Sequence, residues 1–241
     1  MQINITGNFK GLARLPEKIN RQFVFAAPKA LNDTAFKARE NLQLHANQVF
    51  DRPVKRTVDA GMVERARRGQ LWARVYLRED MKSGIQPGKY LKAEINSGAR
   101  RDKRLERALK STRIYTKKHG TSFVLPDDYF VVVHRDYANQ KGNLTGARAK
   151  TILSEMKMNG RGGKYFLIHP DWPKVGDSGM TPGIYLRVGK KLKIVLTFIK
   201  KAGVRYRKRY KFYESVNGTV KNYFNLYYAK SLENAFRTMR I

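Results

Sequence analysis

The chain has no cysteine among its 241 residues. Disulfides, thiolate nucleophiles and zinc–thiolate sites are excluded together, and the composition suits a protein assembled in the cytosol. Acidic residues are scarce: 19 Asp and Glu stand against 50 Lys and Arg, a formal net charge of +31. Such an excess repels itself in a compact state, so it points to an acidic partner: nucleic acid, an acidic protein surface or an anionic membrane. Long apolar runs are missing too. Met1 to Ile19 contains no apolar core of signal-peptide length, and the longest apolar runs, such as Ile194 to Ile199, are far too short to span a bilayer. A soluble protein is the expectation.

The hydrophobic fraction, 41%, is ordinary for a globular protein and argues against disorder. The densest strand signal runs from Pro182 to Tyr213. Ile184, Leu186 and Val188 alternate with Tyr185 and Arg187, and after Gly189-Lys190-Lys191 the residues Leu192, Ile194, Leu196 and Phe198 alternate with Lys193, Val195 and Thr197. This predicts a β-hairpin with a Gly-containing turn. A third alternating run follows at Val204, Tyr206, Tyr210 and Phe212. No Asp or Glu occurs between Asp177 and Glu214, so the expected sheet has one apolar and one strongly basic face.

Elsewhere Gln2 to Thr6, Leu71 to Leu77, Phe123 to Leu125, Phe130 to Val133 and Lys164 to Ile168 read as strands. Leu12, Leu15, Ile19 and Phe23 have helical spacing. A cleaner series follows Pro28, which fits a first helical turn: Leu31, Ala35, Ala38, Leu42, Ala46 and Val49. That helix either packs on the sheet or serves as an arm to a neighbouring subunit. Further helices are expected after Pro87-Gly88-Lys89-Tyr90-Leu91, over about Arg101 to Lys110, from a cap at Asn143 or Thr145 to Asn159-Gly160, and over Val216 to Phe236. Nine basic residues between Arg100 and Lys118 face only Asp102 and Glu106, which suggests an anion-binding face.

Fragments of enzyme motifs fail on geometry. Asp127 with Glu155-Met156-Lys157 has the residue types of a metal-dependent nuclease, but the Glu and Lys fall in an expected helix, where residues two apart diverge. His134-Arg135-Asp136 resembles a kinase catalytic loop, yet Lys141 stands where the metal-binding Asn belongs. Gly162-Gly163-Lys164 ends like a phosphate loop, but Met158 replaces its first glycine and Tyr165 its Ser or Thr. His45, His119, His134 and His169 show no paired metal-ligand spacing. No catalytic residue, metal ligand or cofactor is expected.

Several segments resemble bacteriophage structural proteins: Tyr137 to Ser154 with Gly142-Asn143 and Gly146; Pro182-Gly183-Ile184-Tyr185; Val195 to Phe198; and Tyr206 to Phe212 with the closing helix. Asp51-Arg52-Pro53, Pro87 to Leu91, Gly98 and Lys103-Arg104-Leu105-Glu106 complete the series. Together they are similar to the phage minor tail protein Z, or tail completion, group. The resemblance implies a non-enzymatic virion protein of the neck or upper tail that helps join the DNA-filled head to the tail, acting as copies in a ring. Its partners would be other neck and tail proteins and the genome end, with no membrane. Val54-Lys55-Arg56-Thr57 is more basic than the group's pattern, which implies a different contact surface there.

The expected architecture is α+β in a single domain over 1–241, with 1–50 able to form a helical arm. A mostly antiparallel sheet holds the Pro182 to Tyr213 strands, covered by the Pro28 to Val49 and Val216 to Phe236 helices. Contacts to nucleic acid or an acidic partner are expected at Arg100, Arg101, Lys103, Arg104, Arg107, Lys190, Lys191, Arg205, Arg207, Lys208 and Arg209. A sequence-independent nucleic-acid-binding protein is the alternative function, with Tyr206 and Tyr210 as stacking residues among the arginines.

Overall fold

Ala73, Val75 and Leu77 are buried while Trp72, Arg74 and Tyr76 are half-buried, and this period-two pattern makes Trp72–Leu77 the centre of a sheet. In the computed structural model the strand pairs antiparallel on both sides, Ile3 opposite Val75 and Val63 opposite Val75. The described residues are 1–7, 16–80, 85–117, 120–157, 163–172 and 179–238. The expected helical residues Leu12 and Leu15 lie outside them, as do His119, Met158 to Gly162 and Pro173. The chain divides into two compact units, Met1–Ser97 with Arg207–Ile241, and Gly98–Tyr206.

The first unit runs β1 (Gln2–Thr6), α1 (Glu17–Val49), α2 (Lys55–Val58), β2 (Gly61–Glu64), β3 (Trp72–Leu77), α3 (Pro87–Tyr90) and α4 (Lys92–Asn96), and closes with the last helix of the chain, Phe212–Arg237. Its sheet has the order β1-β3-β2. Helix α1 is longer than the spacing after Pro28 predicts, and Pro28 lies in its interior rather than in its first turn. Its buried stripe is rich in small residues, Ala26, Ala27, Ala30, Ala35, Ala38 and Ala46, with Leu31 and Leu42. Small side chains allow close approach of a neighbouring helix, and the last helix packs there antiparallel. Asn41 Nδ2 donates to Thr219 Oγ1 at 2.8 Å near one end, and the Phe23 ring meets Phe236 at 5.9 Å near the other. Each fully buried Leu contributes roughly 1.5–3 kcal/mol.

The expected third strand of the basic region does not form. Tyr206 makes a two-bond bridge with Gly98, and Phe212 opens the last helix. Tyr210 and Phe212 are both fully buried in the first unit's core, Tyr210 stacking on His45 at 5.6 Å. Their spacing of two reflects a coil entering a helix, not a pleat. Burial, with Tyr90 nearby, holds the Tyr210 hydroxyl well above the ordinary tyrosine range.

The second unit contains α5 (Arg104–Ser111), β4 (Arg113–Thr116), β5 (Gly120–Phe123), β6 (Tyr129–Val133), α6 (Gly146–Lys157), β7 (Tyr165–Ile168), β8 (Gly183–Val188) and β9 (Lys191–Lys200); the last helix of the chain is α7. Strands β4 and β5 form a hairpin, and the four-stranded sheet has the antiparallel order β6-β9-β8-β7. The β8–β9 hairpin forms as its alternation predicts, with Gly189 at φ +59 in the two-residue turn. Its core partners include Leu109, Ile114, Ile152 and Met156. The fold class is α+β with helices flanking antiparallel sheets. Helices α1 and α7, however, pack on the three-stranded sheet of the first unit, whereas the basic hairpin belongs to the second.

A β-bulge corrects the expected two-faced pattern. Ile184 pairs with Leu196 but Tyr185 pairs with Ile194, so Val195 is the extra residue on β9. Leu192 and Ile194 thereby turn to the face opposite Leu196 and Phe198. The opposite face of the sheet carries exposed Val132, half-buried Thr197 and Phe166 and buried Tyr185, and Lys190, Lys191 and Lys193 gather at the hairpin end. Among the described residues no helix is long and apolar enough to cross a membrane.

Candidate interaction surface

Glu106 sits in the first turn of α5, where a carboxylate can reach back to unpaired backbone donors. The Lys103 N–H donates to its Oε2 at 2.6 Å, and the Val131 N–H donates to Oε1 at 2.8 Å. Arg100 completes the set with a bidentate ion pair, one arm at 2.7 Å to Oε2 and the other to Oε1. The guanidinium also lies 4.0 Å from the centre of the Phe130 ring. Glu106 is 1% exposed. Burial alone would raise its pKa; the Arg100 pair and the two backbone N–H groups overcome this and hold it below its ordinary value.

Asp102 organises a second group. Lys110 Nζ approaches its Oδ2 at 2.7 Å and Lys201 Nζ its Oδ1 at 3.2 Å. Burial pushes this carboxyl up, but the two ammonium groups outweigh it and the net shift is downward. Both acidic residues of the basic run are thus consumed internally.

These pairs sort the expected contact residues. Arg100 is committed to Glu106. Arg209 is bidentate on Glu94, at 3.0 and 2.9 Å, and Lys208 pairs with Glu214. The exposed residues Arg101, Arg104 and Arg107 beside and on α5, Lys190 and Lys191 at the hairpin turn, Arg205 and Arg207 have no ion-pair partner among the described residues. Lys103 is exposed and contributes its backbone N–H to Glu106. Arg205 belongs to the second unit and Arg207, Lys208 and Arg209 to the first, so this run is not one patch on one body. Charge is divided almost evenly: 24 Lys and Arg against 8 Asp and Glu over 98–206, and 26 against 11 in the rest.

The basic β8–β9 hairpin end extends past its neighbouring strands. Beyond Tyr165 opposite Leu186, β7 ends, and beyond Val133 opposite Leu196, β6 ends. The residues Arg187 to Lys193 continue as a two-stranded ribbon whose cross-strand pairs set Lys191 beside Val188, and Arg187 beside Leu192. Val188 and Leu192 are both exposed there. The β4–β5 hairpin repeats the combination: exposed Tyr115 and Phe123, with the Arg113 guanidinium 5.1 Å from the Phe123 ring centre.

Two groups escaped the sequence reading. One is that aromatic β4–β5 hairpin. The other is the β2–β3 loop, where Arg65, Arg67 and Arg68 are exposed and Gly69, at φ +87, makes the turn. The run Arg65-Ala66-Arg67-Arg68 before a glycine was a legible signal for it.

The fragments with enzyme-like residues have structural occupations. Glu155 and Lys157 lie in α6, and Glu155 accepts the Tyr165 N–H at 2.7 Å. Arg135-Asp136-Tyr137 forms one 3-10 turn. Among the described residues no three His, Asp or Glu side chains gather as a metal cluster. The chain matches no protein-family model, no curated protein and no solved structure.

Proposed function

We propose that the chain is a non-enzymatic structural protein of a phage neck or upper tail, which helps join the DNA-filled head to the tail as one of several copies in a ring. The observation that carries this reading is the pattern of charge use. Carboxylates such as Glu106 and Asp102 are spent on folding, while exposed basic side chains are left to outside partners. Arg104 and Arg107 on one helix face, and Lys190 and Lys191 at the β8–β9 hairpin turn, suit acidic neighbours or the genome end. The series of motif resemblances supplies the setting.

Deleting the gene from its phage and imaging the particles tests the assignment. Filled heads accumulating beside unattached or defective tails is the expected result; normally joined particles would remove the neck role.

The second reading, a sequence-independent nucleic-acid-binding protein, draws on the β4–β5 hairpin. Arg113 beside Phe123, with Tyr115 exposed, offers phosphate contact and a stacking surface together.

A further inference from the structure

Helix α1 and the β2–β3 loop enclose a groove of about 570 Å³ in the first unit. Its floor is apolar: Val24, Phe25, Pro28 and Phe36 line it. Phe25 is 59% exposed, an unusual state for a phenylalanine. The rim is cationic, with Arg65, Arg67 and Arg68 all lining the groove.

The rim is built rather than accidental. Asn32 on α1 holds the loop by two bonds: its Nδ2 donates to the Ala66 carbonyl at 3.1 Å, and its Oδ1 accepts the Ala66 N–H at 2.7 Å. Arg67 and Gln70 close the turn with reciprocal backbone bonds of 2.9 and 3.2 Å. The Arg65 guanidinium is fixed 5.0 Å from the centre of the Phe36 ring. Among the described residues the lining holds one carboxylate, Asp33, which pairs with Lys29 at 3.2 Å.

Pro28 adds an acceptor. It has no N–H to give the Val24 carbonyl, so the helix leaves that oxygen without its usual bond beside the apolar floor. An occupant should therefore combine apolar side chains, negative charge and a donor. An acidic peptide has all three, with aliphatic or aromatic side chains for the floor and backbone N–H donors, whereas the charge of a nucleic acid sits on phosphates, which only accept and carry no apolar group.

We propose that this groove binds a short acidic peptide segment of a partner protein, with Leu or Phe side chains on the Phe25–Phe36 floor and Asp or Glu carboxylates on Arg65, Arg67 and Arg68. The proposal stands apart from the neck assignment, since no residue of the groove belongs to the contact set expected there.

The test measures fluorescence anisotropy of a labelled twelve-residue peptide in which Asp and Glu flank a Leu-Phe pair, added to the full chain. The comparisons are its Asn and Gln analogue, its analogue with Ser in place of Leu-Phe, and a single-stranded dodecanucleotide. The acidic peptide should bind most tightly, and R65Q/R67Q/R68Q should weaken it by about tenfold or more. The exposed change Phe25→Ser should weaken it without loss of helical circular dichroism, and the charge-matched K190Q/K191Q/K193Q should leave it unchanged. No binding of the acidic peptide, equal loss in both triple variants, or unchanged affinity in R65Q/R67Q/R68Q overturns the proposal. So does an oligonucleotide that loses affinity in that variant while the peptide does not. Joined or unjoined particles in the deletion experiment bear on the neck role alone.

Discussion

Arg100 and Glu106, six residues apart, form a bidentate ion pair in which the carboxylate is fully buried and the guanidinium is covered by the Phe130 ring. The pair ties the start of α5 to β6, because the same carboxylate holds the Val131 N–H. Glu106→Gln keeps the size and removes the charge, leaving Arg100 partly buried without its counter-ion. A loss of roughly 3–5 kcal/mol in unfolding free energy is expected near neutral pH. The folded carboxyl titrates below its ordinary 4.5, so its contribution is complete above that value and is lost as pH falls through the folded pKa. The gap between wild type and variant should therefore narrow in acid; urea unfolding at a series of pH values reads it. A constant gap down to pH 2 would contradict the pairing.

Gly183 begins β8 opposite Thr197, and a Cβ there would lie 2.1 Å from the Leu196 carbonyl oxygen. That oxygen is backbone and cannot swing away. Gly183→Ala should cost on the order of 1–3 kcal/mol and disturb the register at the Val195 bulge. Amide exchange along β9 should accelerate in this variant. Unchanged protection would mean that the strands separate freely at this point.

These two sites show what could and could not be read in the chain. The β3 alternation and the β8–β9 hairpin are local patterns of period two, so they were legible. The bulge was not, because Val195 is as apolar as its neighbours and nothing in the sequence distinguishes an inserted residue from an alternating one. The run from Tyr206 to Phe212 looked like a strand because two aromatics happen to be two apart on entering α7. The partners of Arg209 and Arg100 were hidden for different reasons: Glu94 is 115 residues from Arg209, while Glu106 is close but was counted only as a charge. Burial of these carboxylates is decided by packing, so a basic run overstated how many of its cations face outward.

Pro28 interrupts the hydrogen bonding of a 33-residue helix. Pro28→Ala restores an N–H for the Val24 carbonyl and should raise unfolding free energy by roughly 1–3 kcal/mol. Thermal unfolding measures it directly. The same change should weaken the acidic peptide in the groove, because the carbonyl then has an intrahelical partner. A more stable variant with unaltered peptide affinity would show that the groove works through its arginines and aromatic floor alone.

Charge reversal separates the two functional readings, provided the residues chosen are not part of the fold. Arg209→Glu would place a second carboxylate against Glu94, whose side chain is 10% exposed, so any effect would mix folding with contact. Among the described residues Arg205 and Arg207 have no ion-pair partner, and R205E/R207E should keep wild-type unfolding. A neck protein working through protein surfaces should lose assembly in this variant while its affinity for an oligonucleotide changes little. A protein that functions by neutralising several phosphates should instead show about a thousandfold or greater fall in wild-type affinity between 50 and 200 mM salt, with a shallower slope in the variant. Complementation of the deleted phage and salt-dependent binding of one DNA fragment, measured on the same two proteins, decide between them. Restored assembly by R205E/R207E removes these arginines from the connector surface, and a steep salt dependence beside it moves the nucleic-acid reading to first place.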